Sequence, residues 1–471
     1  MQRFSILAIQ EMSKGLKYMV QGSWFVTQGG RLSSLVLRPA SLFTVMLLLA
    51  GTVSAQETLT LKQAMEIALA NNFEVRIAKE QAAMAGNNAT IGNAGMLPDV
   101  GLNLGQQNSI NNTRQEFLTG GINERSNAKS YNFSAAAQLN WTLFDGLAMF
   151  TTHQQLKKLE QQGEANVRLA MENTLADVVT TYYELVRIRK NIALAEATLA
   201  LSEERLRLAE GKLAAGRESK VELLQAQVAR NNDTAALMQL QQDLLNGINA
   251  MNMVLARPAN TIFSVEEDSI ALLPKLEYAT LSDALAERNP DLTVNRMTQE
   301  IALLQLKTIR RQKWPVIDAN VGYGFSNATS EAGFLVANRN YGLSYGIGAR
   351  VNIFNGMDQR RREKNAQAEM RISQMQVEQL DLELNGSLLS TYGDYENALQ
   401  LIALEEQNLA AATENVTLGV ERYREGMLSG IQFREIQQSQ LLAANRLSNL
   451  LYRAKVTEAL LHRLSGDMQG F

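Results

Sequence analysis

Cysteine is absent from the 471 residues, and histidine occurs only as His153 and His462. The first absence excludes disulfides, thiolate metal sites, a cysteine nucleophile and a lipid-bearing N-terminal cysteine. The second leaves no set of imidazoles for a zinc or acid–base centre, so no metal is expected. Proline is scarce, six in all, which permits very long uninterrupted helices. Charge of one sign is lacking too: 45 Lys and Arg face 48 Asp and Glu, a net charge of −3. No global basic field gathers nucleic acid. At 46% hydrophobic and 20% charged, the chain is neither disordered nor a conventional helical membrane protein. No HExxH occurs. Gly211-Lys212-Leu213-Ala214-Ala215-Gly216-Arg217 has the glycines of a phosphate loop without its Lys-Ser/Thr, and reads as a helical turn. No catalytic residue, enzymatic activity or cofactor is expected.

Arg31 and Arg38 precede an apolar run, Leu42 to Ala50, and then Val53-Ser54-Ala55, small residues of the kind a signal peptidase reads. That run is too short for a membrane span and fits a cleaved secretory leader over residues 1–55, with Met1 or Met19 as its start. Past it, no window approaches the roughly 18 consecutive apolar residues of a transmembrane helix.

The remainder repeats itself. Leu61-x-x-Ala64 is answered by Leu281-x-x-Ala284, and Asn72, Leu97-Pro98 and Gly105 recur at an offset of 217 as Asn289, Trp314-Pro315 and Gly322. Tyr131, Phe144-Asp145-Gly146, Tyr182 and Gly216 recur at an offset of 210 as Tyr341, Phe354-Asn355-Gly356, Tyr392 and Gly426. An internal two-fold repeat therefore divides the chain into a first copy, 56–257, an aperiodic linker, 258–278, and a second copy, 279–468. Each copy reads helix, strand, polar loop, strand, long helix, turn, helix.

The strands alternate. Phe133, Ala135, Ala137, Leu139, Trp141 and Leu143 are separated by mostly polar residues, and Leu343, Tyr345, Ile347, Ala349, Val351 and Ile353 by Gly, Ser, Arg and Asn. Shorter runs, Val100-Leu102-Leu104 and Ile317 to Phe325, share that parity. Period two makes one face apolar and the other wet. Aromatics near the strand ends favour a membrane barrel over a soluble sheet, placing Phe133, Leu139, Trp141, Leu343, Tyr345, Ile347 and Val351 against lipid. The polar stretches 106–130 and 326–340 are expected as loops. Met171, Val178, Leu185, Ile192, Leu199, Leu206 and Leu213 fall every seventh residue, matched by Leu388, Tyr395, Ile402, Leu409, Val416 and Tyr423, the stripe of a coiled coil. The turns at Gly216-Arg217-Glu218-Ser219 and Gly426-Met427-Leu428-Ser429-Gly430 break that stripe and form its far tips.

Four strands cannot close a barrel, and open edges in lipid leave backbone groups unpartnered, so several chains share one barrel. Two would give about eight strands with a filled interior, three about twelve with an aqueous lumen. In order, spacing and duplication, Gln56 to Met468 resembles the TolC-type outer-membrane efflux channel family. The resemblance implies a mixed α and β membrane protein. Its homotrimer closes a twelve-stranded barrel in the outer-membrane lipid of a Gram-negative bacterium and continues it as an α-helical coiled-coil barrel in the periplasm. It also implies a passive exit duct for efflux or type I secretion, joined through a periplasmic adaptor protein at the tips to an inner-membrane transporter. Glu222 and Glu435 match or adjoin acidic positions at the family's constriction, and Gln432 stands where an Asp is expected; the lumen or an outer-surface pairing is open to Glu435. Leu428 replaces an Arg of the best-known member, which implies a different closing network or none. The alternative reading is a secreted coiled-coil scaffold without a pore.

Overall fold

The computed structural model describes residues 57–217, 219–332 and 335–468; the expected leader, Glu218 and Phe471 lie outside the described residues. In order, the elements are β1 (Glu57–Leu59), α1 (Leu61–Asn71), α2 (Phe73–Asn88), β2 (Asp99–Glu116), β3 (Ile122–Phe144), α3 (Ala148–Ala214) and α4 (Lys220–Val254). Then follow β4 (Phe263–Val265), α5 (Tyr278–Arg288), α6 (Pro290–Arg311), β5 (Val316–Ser330), β6 (Ala337–Arg350), α7 (Asp358–Arg424) and α8 (Gly430–Ser465).

The leading helix of each half, expected as one, is two. Asn72 and Asn289 leave the helical conformation and cap α2 and α6, accepting from Glu74 N at 2.8 Å and Leu292 N at 2.9 Å. Their amide groups donate to Val254 O and Leu464 O, each at 2.9 Å, so one side chain joins a helix start to the end of another helix. Periodicity cannot register a break that keeps the apolar residues in phase.

The linker, expected without regular structure, contains β4, which runs parallel to β1 in the register Glu57↔Phe263 to Leu59↔Val265. Leu59, Phe263 and Val265 are buried with Val178, Val179, Tyr182, Met251 and Leu255. Three residues are too few for a strand to declare itself in sequence. A second core gathers Leu281, Leu285 and Leu292 against Leu388, Tyr395 and Leu461.

The other four strands form one antiparallel sheet in the order β2-β3-β5-β6. The two expected loops are mostly ladder: β2 runs to Glu116 and β3 starts at Ile122, while β5 runs to Ser330 and β6 starts at Ala337. Polar residues on both faces still pair through their backbones, and 23 residues carry β3 about 78 Å, beyond any hydrocarbon core. Tyr131 and Phe133 accordingly sit mid-strand, while Val351, expected in β6, lies just past its end, because the ladder with β5 stops at Val316↔Arg350. Registers align the parity across all four strands. Val100, Leu139, Val321 and Tyr345 form one row and Leu102, Ala137, Tyr323 and Leu343 the next; Gly101, Gln138, Gly322 and Ser344 lie on the other face. The apolar face is bare, with Val100 70%, Tyr345 80% and Ile347 76% exposed.

Both long helices contain 67 residues, about 100 Å at 1.5 Å each. In α7 the seven-residue stripe is buried at Leu388, Tyr395, Ile402, Val416 and Tyr423. In distal α3 it is not. The period holds, but the line buried within the chain is Asn191, Ala195, Thr198, Ser202, Arg205 and Ala209, while Ile192, Leu199 and Leu206 are half-buried. Polar partners on α4 and α8 explain the displacement.

Candidate functional site at the helical tips

Both helical hairpins reverse alike. After α3, Gly216 is left-handed (φ 69°), Gly216 N donates to Leu213 O at 2.9 Å and Arg217 N to Lys212 O at 2.8 Å. After α7, Gly426 (φ 76°) donates to Tyr423 O at 3.2 Å and Met427 to Arg422 O at 2.9 Å. Glycine takes that conformation without the Cβ penalty, and the paired bonds satisfy the last carbonyls. Ser219 and Ser429 then start α4 and α8, accepting from Glu222 N and Gln432 N, each at 3.3 Å. The expected tip residues thus form two turns with similar backbone bonding. Gln432, expected at the constriction, completes a capping box by accepting from Ser429 N at 3.1 Å.

Glu222, also expected there, is engaged within the chain. Arg205 donates to it at 2.8 Å, and the two side chains are only 3% and 12% exposed. This pair belongs to the first hairpin but lies against the second. A Cβ on Gly430, the first residue of α8, would fall 1.5 Å from Glu222 Oε1 and 2.8 Å from the Arg205 guanidinium. Absence of a side chain at Gly430 is thus what lets α8 lie over the ion pair.

One turn further, Arg434 of α8 reaches back with a bidentate grip on Asp233 of α4, at 2.7 and 2.8 Å, and donates to Ser202 of α3 at 3.3 Å. Ser202 itself donates to Asp233. Such a fork is geometrically specific and stronger than a neutral bond. Tyr423 stacks on Phe433 at 5.2 Å, and Lys212 lies 4.4 Å from the Tyr423 ring. Outside this cluster, the Arg207 guanidinium holds the exposed Glu204 carboxyl below its usual range. Glu435 is exposed and, among the described residues, makes no ion pair; Arg434 beside it is committed to Asp233. With Val221, Leu224, Val228 and Ile431 it lines a groove of about 590 Å³ between α4 and α8.

Sequence reading located the turns and the acidic positions but missed Ser202, Arg205 and Asp233. A signal existed: Ser202 and Arg205 fall at seam spacing with Ala195 and Ala209, where a charged residue needs a partner. Met427 and Leu428 remain on the surface of the second turn, Met427 at 67% exposure.

The sequence matches the outer membrane efflux protein family over residues 64–256 and again over 281–467. It is 24% identical over 279 residues to the outer membrane efflux protein BepC of Brucella suis, a match spanning 58% of this chain and 59% of that one. To the proteases secretion protein PrtF of Dickeya chrysanthemi it is 22% identical over 423 residues, 88% of this chain and 89% of the relative. The CmeC outer membrane channel of Campylobacter jejuni shares the fold, with a TM-score of 0.74 at 16% identity over 86% of this chain and 85% of that one. With both halves matched, the chain belongs to the outer membrane efflux protein family.

Proposed function

We propose that three copies of this chain close a twelve-stranded barrel in the outer membrane and extend it into the periplasm as a helical tunnel. The assembly is a passive exit duct, an inner-membrane transporter supplying the energy and a periplasmic adaptor docking at the tips. One observation carries the reading: a four-stranded sheet open at both edges, one face apolar and bare, the other rich in Gly, Ser, Asn and Gln. An apolar face without a covering layer calls for lipid, and open edges in lipid call for further strands. In this arrangement Phe133, Leu139, Trp141, Leu343, Tyr345 and Ile347 meet lipid, and the alternate residues line the lumen. The two halves, 56–257 and 279–468, act as copies of one unit around the linker 258–278.

At the tunnel mouth the assignments divide by what each side chain touches. Glu435, which makes no ion pair among the described residues, supplies a ring of one carboxylate per copy. Glu222 and Gln432, held by Arg205 and Ser429 within the chain, stand outside that ring. Relatives named for efflux and for protease secretion support the duct, and both classes of export use it. Purified protein in planar bilayers should form pores that prefer cations, and Glu435→Gln should reduce that preference and the block by multivalent cations. Absence of any conductance would refute the duct; unchanged selectivity would place Glu435 outside the lumen.

A further inference from the structure

The barrel-to-helix junction is built twice in this chain, and the second carries a cluster of cations that the first lacks at the corresponding positions. Around the second junction stand Arg310, Arg311, Lys313, Arg350, Arg360, Arg361, Arg362 and Lys364, against three carboxylates, Asp318, Asp358 and Glu363. That local excess of five positive charges sits in a chain whose net charge is −3. At the corresponding first-copy positions, by the offsets of 217 and 210, the residues are Asn93, Ala94, Met96, Asn140, Phe150, Thr151, Thr152 and Gln154, with Gly101, Ala148 and His153 in place of the acids. Of the eight cations Arg311 serves the first junction, donating to Leu147 O at 2.7 Å; the first copy has no counterpart of the other seven.

The carboxylates are already taken. Glu363 receives Arg310 at 3.0 Å and Lys313 at 2.5 Å; Asp358 receives Arg361 at 2.6 Å and Arg362 at 3.0 Å; Asp318 faces Arg350 at 3.6 Å. Arg360 and Lys364 are exposed and make no ion pair among the described residues. Ile353 and Phe354, which share a cleft with Arg360, are 92% and 73% exposed, and Trp314, next to Lys313 in the chain, is 62% exposed. Lys313, Phe354, Met357, Arg360 and Arg362 border a cleft of about 600 Å³. Cations above an exposed aromatic and aliphatic shelf, where strands become helices, have the layered chemistry of a headgroup region over acyl chains.

We infer that the second junction of each copy binds an anionic phospholipid of the periplasmic leaflet, its phosphate on Arg360, Lys364 and Lys313 and its acyl chains along Phe354 and Trp314. The inference rests on the membrane-barrel reading, which sets the junction at the leaflet surface. Charge complementarity selects the occupant: cations beside a bilayer attract anionic lipid, each strengthening binding by about fivefold.

Trp314 is a reporter already in place. In a Trp141→Phe variant it is the sole tryptophan of the mature chain, since Trp24 lies in the expected leader. The purified protein is titrated in detergent with brominated phosphatidylglycerol or brominated phosphatidylcholine while its fluorescence is read. Phosphatidylglycerol should half-quench Trp314 at a concentration on the order of tenfold lower than phosphatidylcholine, and Arg360→Gln with Lys364→Gln should abolish that preference. Quenching by phosphatidylcholine should stay unchanged in the variant, showing that it is still folded and lipid-facing. Equal quenching by both lipids in the parent protein would overturn the site while leaving the barrel intact. Quenching by neither would overturn the membrane reading as well, and displacement of phosphatidylglycerol by equimolar inorganic phosphate would overturn the lipid assignment.

Discussion

Single side chains decide how the two hairpins meet. Gly430 has no Cβ because the Arg205–Glu222 pair occupies that space, so Gly430→Ala should separate the pair or lift α8 away from it. Breaking a buried ion pair costs about 3–5 kcal/mol, and hydrogen exchange at the start of α8 should rise sharply while the sheet stays protected. Unchanged exchange would mean that the contact is looser than drawn. Glu172 of α3 is buried, and burial raises its carboxyl above the ordinary 4.5 against a smaller opposing pull from Arg168. The folded chain then binds more protons than the unfolded chain in the window just above 4.5, so stability falls as pH rises through it. Glu172→Gln should raise Tm at neutral pH and flatten the acid side of the profile; a lower Tm would show that the Arg168 pair outweighs burial. At this scale sequence reading was weakest. Asn72 and Asn289 were visible as repeated letters, but their double duty as cap and donor depends on a helix end roughly 180 residues later in the chain for each of them.

Among elements, what could be read was whatever a period carries. Strand parity put Leu139, Val321 and Tyr345 on one face, and the register places them side by side. Strand length was not legible, because the ladder continues through polar residues that carry no alternation. The heptad period of α3 was legible too, but its buried line was not: the half-buried leucines competed with a polar line whose partners, Asp233 and Arg434, lie on other helices. If that polar line holds the tunnel closed, Arg434→Gln and Asp233→Asn should each raise single-channel conductance. The double variant should do no more than either alone, since both remove one bond; additive increases would assign the two residues separate roles. The tips, by contrast, are exposed turns at the ends of rigid rods. Cysteine-directed cross-linkers at Arg217 or Met427 should capture the adaptor in cells more efficiently than one at Gln162, which is mid-helix and bonded to Thr298 at 2.7 Å. Capture confined to Gln162 would overturn the docking assignment.

As a whole molecule the chain leaves one face and two edges of its sheet uncovered among the described residues. A sheet with two open edges and a bare apolar face sits above two hairpins whose polar contacts are largely satisfied within the chain. Under the proposed function the sheet is completed by lipid and by copies of itself. The repeat and the alternation were enough to point to that assembly from sequence; the cationic second junction was not seen, because its meaning lies in comparison with the first, which lacks those cations. The central claim is that the apolar face of the sheet meets hydrocarbon and the opposite face meets water. Ile347 and Gly346 are neighbours in β6 on opposite faces, paired with Ala319 and Asn320. Arginine costs about 2–4 kcal/mol on the lipid face near the bilayer midplane and much less in an aqueous lumen. The decisive measurement is the yield of assembled trimer in outer membranes for Ile347→Arg and Gly346→Arg. The account predicts a marked loss for Ile347→Arg and near-normal assembly for Gly346→Arg; equal yields, or the reverse order, would contradict it.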